Sequence, residues 1–337
     1  MTLFLKRFVS FLLLCVLVYV VLIGIMVKAN IQPPIHHNLP AANITGLMFR
    51  DLHLAQKTDL LFVGSSHSYR GFDTRVYDSL GWNSFNMGTS SQTPRHTLAL
   101  LENWLDSIQP QLLVFEVHPA TFSSQMDLVE ANLNIMANEK WQPYFMNLLL
   151  MDIDLRMLNL AVAARIRNLM DWEEGMPFDT VMGTDRYILK GYVESTKKGY
   201  DPQHTYGKGW DIDSQQTKAL QEIIRLAKIK GIEVMLMQLP VTGSLYATYN
   251  NPAGFDSLMN SLAPYQNLNG RMELVDTIHF YDSNHLNPAG AAIVNAVVAE
   301  IIGTRAKWKK DYKKGLRASA LVGHVPALLS SNGSGQK

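Results

Sequence analysis

Serine is a weak nucleophile until a neighbouring base takes its proton. The residue types to locate first are therefore a serine on a turn, an imidazole, and a carboxylate to orient it. Two stretches of the 337-residue chain offer them. Residues 60–70 read LLFVGSSHSYR, an apolar run that stops abruptly at Gly64, Ser65 and Ser66. Glycine permits a tight turn, and a serine entering a helix has its hydroxyl beside backbone N–H groups that stabilise negative charge. Residues 280–290 read FYDSNHLNPAG, with Asp282 three residues before His285 on a loop leading into a helix. That spacing lets the carboxylate reach the imidazole, fix its tautomer and stabilise its protonated form. Each stretch also has a purely structural explanation. Gly-Ser-Ser is a common helix-capping turn, Asp282 suits an Asx-turn, and His285 suits a helix entry. Only a meeting across one sheet edge makes them a catalytic set.

Such a meeting requires a parallel sheet, because ligands of open α/β sheets bind beyond the carboxyl ends of the strands. The hydrophobic pattern predicts buried strands at residues 60–63, 84–87, 112–117 and 232–239, with a short strand at 273–276. Helical spacing falls at residues 74–80, 93–108, 215–230, 251–262 and 288–301. The alternation implies a three-layer α/β/α sandwich around a mainly parallel sheet of about five strands. Residues 125–213 break the rhythm and are expected to be a mostly helical insertion. The expected organisation is an anchor at 1–29, a tether at 30–57 containing His36 and His37, the α/β domain at 58–303, and a basic tail at 304–337.

The anchor rests on residues 8–27, an unbroken uncharged apolar stretch long enough to cross a bilayer. Lys6 and Arg7 precede it and only Lys28 closely follows, which places the N-terminus in the cytoplasm and the rest outside. A cleaved signal peptide is the alternative, but the run exceeds a usual signal core and no Ala-x-Ala site follows. Cys15, the single cysteine, lies in this span, so the remainder has no thiol for a disulfide, a thiolate metal site or a cysteine nucleophile. A composition 47% hydrophobic and 18% charged, with net charge +1, does not suit a polyanion binder, and no nucleic-acid-binding signature is present. No phosphate loop, dinucleotide fingerprint or zinc constellation is visible, so neither cofactor nor metal is expected.

Taken together, Gly64-Ser65-Ser66 and Asp282-Ser283-Asn284-His285 resemble the first and last blocks of the SGNH, or GDSL-type, serine hydrolases. The resemblance implies a flavodoxin-like sheet, with Ser66 as nucleophile, His285 as general base and acid, and Asp282 as its orienting partner. The family's second block, Asn-x-Gly-x-Ser-Gly, is matched by Asn86, Gly88 and Ser90, with Ser91 replacing the final glycine. The implied oxyanion donors are the N–H groups of Ser66 and Ser91. The third block, Gly-x-Asn-Asp, is absent, and Glu116-Val117-His118-Pro119 stands in its place. With its N-terminal membrane helix, the chain looks like the envelope branch that transfers acyl groups, the D-alanine-transfer and alginate O-acetylation proteins. That branch implies acylated carbohydrate or another small ester as substrate, and an integral membrane acyl-donor protein as a partner.

Other residues have plainer readings. His67 is expected to be an exposed turn residue, and His118 a satisfied structural group. Arg70 and Arg95 follow strands and could hold an anion, although surface arginines are ordinary. Asp201 and His204 repeat the Asp-x-x-His spacing without a buried strand before them. Trp141, Tyr144 and Phe145 could form a sugar-binding wall, a lid or a membrane-facing patch, with core packing as the default.

Overall fold

Strands written as continuous apolar runs must be covered on both faces, and the central strands of this protein are. A computed structural model describes residues 2–29, 42–139, 141–151, 155–170, 180–202 and 211–305. Up to the sheet's third strand the order is α1 (Thr2–Lys28), α2 (Ala42–Leu54), β1 (Leu60–Val63), α3 (Ser66–Gly71), α4 (Thr74–Ser79), β2 (Ser84–Asn86), α5 (Pro94–Ile108) and β3 (Leu112–Glu116). Then come α6 (Val129–Asn138), α7 (Phe145–Met151), α8 (Leu155–Met170), β4 (Val181–Met182), β5 (Asp185–Leu189) and β6 (Tyr192–Ser195). The chain continues through α9 (Ser214–Ile229), β7 (Glu233–Gln238), α10 (Gly243–Tyr246), α11 (Pro252–Leu262), β8 (Tyr265–Asn267), α12 (Asp276–His279) and α13 (Pro288–Arg305).

Five strands form one all-parallel sheet in the order β2-β1-β3-β7-β8. Alternate residues of each strand serve opposite faces. Leu61, Val63, Leu113, Phe115 and Leu236 join a core with Leu47 and Phe49 of α2, Leu100 of α5 and Leu220 of α9. Leu60, Phe62, Leu112, Val114, Met235 and Met237 face the other way, against Trp82 and Val294, Val298 and Ile302 of α13. The expected three-layer α/β architecture is therefore present. The chain leaves β1 toward β2 on one side and returns to β3 on the other, which opens a crevice at the carboxyl end of β1.

Two expectations need correction, and one gains a detail. The segment 30–57 is not simply a tether, because α2 buries Leu47, Met48, Phe49 and Leu52 in the sheet's core. Two turns of helix with that much apolar surface are held by packing rather than left in solvent. The insertion is mostly helical as expected, through α6 to α8, with a small addition. Its second part is a three-stranded antiparallel sheet, β4-β5-β6. Lys190 and Gly191 form its tight β5–β6 turn at φ +50° and +87°. Residues 273–276 do not form a strand; the edge beside β7 is taken by β8, whose Tyr265 and Asn267 hydrogen-bond to Asp256. A polar edge strand of this kind gives no apolar signal in sequence. His36, His37, His204 and the basic tail beyond Arg305 lie outside the described residues.

Candidate active site

The turn after β1 brings backbone and side chain into unusually close approach. Gly64 has φ +141°, and a Cβ there would lie 2.8 Å from both the Cβ and the carbonyl oxygen of Glu116, so glycine is required. Ser65 follows as the N-cap of α3, its hydroxyl accepting the His67 N–H. Ser66 is thus the first residue of the helix, half-buried at the sheet's carboxyl edge.

On the far side of the crevice, Asp282 closes a local turn and meets His285 with one carboxylate. Its Oδ1 accepts the N–H groups of Asn284 and His285, each at 2.7 Å, as an Asx-turn requires. Its Oδ2 lies 2.9 Å from His285 Nδ1. Burial would raise this carboxyl, but the contacts with His285 and the two N–H groups outweigh it and hold it below the usual carboxylate range. An ionised carboxylate only accepts, so Nδ1 carries the imidazole proton and Nε2 presents its lone pair. That Nε2 lies 2.8 Å from Ser66 Oγ. The rest of the motif is structural: Asn287 Oδ1 accepts the Ala289 and Gly290 N–H groups and caps α13.

The loop after β2 is stitched to α3 by Asn86. Its Nδ2 donates to the Ser68 carbonyl at 2.8 Å, and its Oδ1 accepts from Ser68 Oγ and the Gly88 N–H. Ser91, standing where the SGNH pattern has glycine, adopts φ +55°, the left-handed conformation glycine favours. Its hydroxyl is drawn aside by Glu130 at 2.6 Å, and Ser90 binds the other oxygen of the same carboxylate at 2.7 Å. Among the described residues the N–H groups of Ser66 and Ser91 have no hydrogen-bond acceptor, which leaves both able to donate.

Three further groups were missed or underrated in the sequence. Glu116, at the end of β3, is buried, and its Oε2 faces Ser65 Oγ at 3.0 Å and Ser65 N at 3.4 Å. Burial pushes it up to about 8 despite those contacts, so it is neutral at pH 7. A single acid closing an otherwise apolar strand was the available signal. His67 is buried rather than exposed, stacking on His118 at 4.0 Å and on His285 at 5.0 Å between ring centroids. Burial, then repulsion from neighbouring imidazoles, keeps both companions neutral, with His118 held down to about 3. They therefore place no competing charge beside His285. Arg70 is likewise no free anion clamp: it makes a two-pronged pair with Asp185 of β5 at 2.7 and 2.8 Å. Its guanidinium also lies 5.3 Å from the ring centroid of Tyr281, and that ring stacks on His285 at 5.4 Å. Arg95 is placed on α5, where its N–H donates to Gln216. Among the described residues no group of three or more His, Cys, Asp or Glu side chains is arranged to hold a metal ion.

No protein-family model and no curated protein matches the sequence. Solved structures similar to the chain include a GDSL-like lipase from Bacteroides thetaiotaomicron, at 13% identity and TM-score 0.38, covering 78% of this chain and 98% of that one. A proposed acylhydrolase from Bacteroides fragilis matches at 12% identity and TM-score 0.39, covering 76% of this chain and 93% of that one. A proposed platelet activating factor from Streptococcus pneumonia matches at 11% and 0.40, covering 79% and 95%. At such low identity and TM-score, what the chain does must be read from its own residues.

Proposed function

We propose that this chain is a membrane-tethered SGNH-type serine esterase or O-acyltransferase. The observation that carries the reading is the 2.8 Å approach of Ser66 Oγ to His285 Nε2, with Asp282 behind the same imidazole. In the reaction, Ser66 Oγ attacks an ester carbonyl while its proton passes to Nε2, and Asp282 stabilises the resulting imidazolium. The N–H groups of Ser66 and Ser91 take the developing oxyanion. Collapse expels the alcohol, which receives the Nε2 proton and leaves an acyl group on Ser66. Water then regenerates the serine in an esterase; a sugar hydroxyl does so in a transferase.

The resemblance extends the proposal to acetyl or other acyl esters of envelope glycans, acted on outside the cytoplasm by a domain anchored through α1. An integral membrane acyl-donor protein would be its partner in the transferase form. A second reading, a non-catalytic binder on the same scaffold, is favoured by one specific feature. The crevice wall after β3 carries Glu116 and His118 in place of the family's asparagine donor.

Full-length protein in nanodiscs, treated with a fluorophosphonate probe and with p-nitrophenyl acetate, separates the two. Labelling and turnover that vanish in Ser66→Ala support the enzyme. A folded protein with neither activity overturns that reading in favour of the binder.

A further inference from the structure

Single exposed apolar side chains are normal on a folded domain, but a cluster of them requires a partner. Outside α1, twelve large apolar side chains are exposed among the described residues. Six of these lie on α7 and α8: Met146, Leu150, Leu155, Leu158, Leu169 and Met170. On α8, at 100° per residue, the exposed Leu155, Leu158, Leu169 and Met170 share an arc of about 120°. Arg156 and Arg165, both exposed, flank it on either side. The opposite side of the helix is protein-facing, with Met157, Leu160, Ala161 and Ala164 buried and α6 packed close by.

The same exposed arc also contains the place where α1 lands. Tyr19 of α1 donates to Asn159, and Gly24 lies against Ile166. Only the last third of α1 is covered in this way: Tyr19, Val20, Ile23, Gly24, Met26 and Val27 are half-buried, whereas residues 3–18 are all exposed. Those sixteen exposed residues give a rod of about 24 Å, and the hydrocarbon core of a bilayer is about 30 Å thick. Counted from Phe8, beyond the charges of Lys6 and Arg7, the exposed rod shortens to about 17 Å. On either count, the hydrocarbon must continue into the stretch of α1 that α8 covers.

We propose that α8, with the adjoining face of α7, is an interfacial membrane helix. Its Leu155, Leu158, Leu169 and Met170 enter the lipid on either side of α1 while Arg165 reaches the headgroups. The occupant of this face is the bilayer, continuous with the lipid around α1. The proposal rests on α1 being a membrane span, and the test keeps the two claims apart.

Cys15 is the sole cysteine and is exposed on α1, so a fluorophore on the wild-type thiol reports on the span itself. In a Cys15→Ser background, Leu158→Cys and Leu169→Cys report on α8, and Val275→Cys serves as an exposed apolar control away from it. All four positions are exposed, so the substitutions remove no core contact. The labelled full-length proteins are placed in nanodiscs and quenched with doxyl-labelled lipid or with aqueous iodide. The expected result is lipid quenching at 15, 158 and 169, with about threefold less iodide quenching at 158 and 169 than at 275. Lipid quenching at 15 alone, with 158 and 169 behaving like 275, overturns the α8 proposal and leaves the span intact. Shielding from iodide without lipid quenching means that protein covers the face, which also overturns it. If Cys15 itself escapes lipid quenching, the span fails and the α8 proposal falls with it.

Discussion

Glu116 Oε2 meets both the hydroxyl and the backbone N–H of Ser65, the residue immediately before the proposed nucleophile. A buried acid therefore sits directly behind the turn, and Ser65 transmits its position by capping α3. Its Oε1 has no hydrogen-bond partner among the described residues, which suits a neutral acid better than a buried anion.

That neutrality has a pH signature. Glu116 ionises near the ordinary carboxyl value of 4.5 when unfolded and at about 8 when folded. Its raised folded value means that the contribution is fully present below 4.5 and is lost as pH rises toward 8. Chemical denaturation of wild type and Glu116→Gln at pH 5 and pH 9 should show the wild type losing about 3–5 kcal/mol more across that interval. Equal losses in the two proteins would show that Glu116 is ionised in the fold.

Asp282 is predicted to matter through the tautomer it enforces. Asp282→Asn can present its amide N–H to Nδ1, moving the proton to Nε2 and leaving Ser66 without a base. Turnover should fall ~10²–10⁴-fold with the circular dichroism spectrum unchanged. A loss below about tenfold in a folded variant would remove Asp282 from the mechanism.

The Ser91 turn separates backbone from side-chain roles. Ser91→Gly keeps the N–H and suits φ +55°, so turnover should stay within about threefold of wild type. Ser91→Pro removes the donor and cannot reach that φ; a loss of ~10²–10³-fold in kcat is expected. Comparable kcat values for the two variants, both confirmed folded by circular dichroism, would exclude Ser91 as an oxyanion donor.

Gly191 docks the insertion's small sheet onto β2. A Cβ at Gly191 would lie 1.7 Å from the Asn86 carbonyl oxygen, and the neighbouring Lys190 carbonyl accepts the Asn86 N–H at 2.9 Å. Because φ is also +87°, Gly191→Ala should cost about 3 kcal/mol in urea unfolding. An unchanged midpoint and slope would mean that this docking contributes nothing to stability.

The sequence by itself determined the parallel sheet and the ends of its strands, because strands covered on both faces must be apolar throughout and then stop at turn residues. Residues 60–63 and 112–116 behave accordingly. It also supplied Ser66, Asp282 and His285 as types, and the local Asx-turn that sets Asp282 against its own histidine, since a three-residue spacing fixes that contact. Polar or locally ambiguous segments were not legible. α2 is polar enough to read as a tether until its apolar face is counted, β8 is a polar edge, and β5–β6 is held by long-range contacts at Asn86 and Asp185. Tertiary structure alone decided that Ser66 and His285, 219 residues apart, come within hydrogen-bonding distance. It alone also turned Glu116 and His67 from surface-like letters into buried groups around them, and paired the half-buried Arg70 with Asp185. Burial and desolvation are properties of what surrounds a residue in space, and no spacing along the chain encodes them.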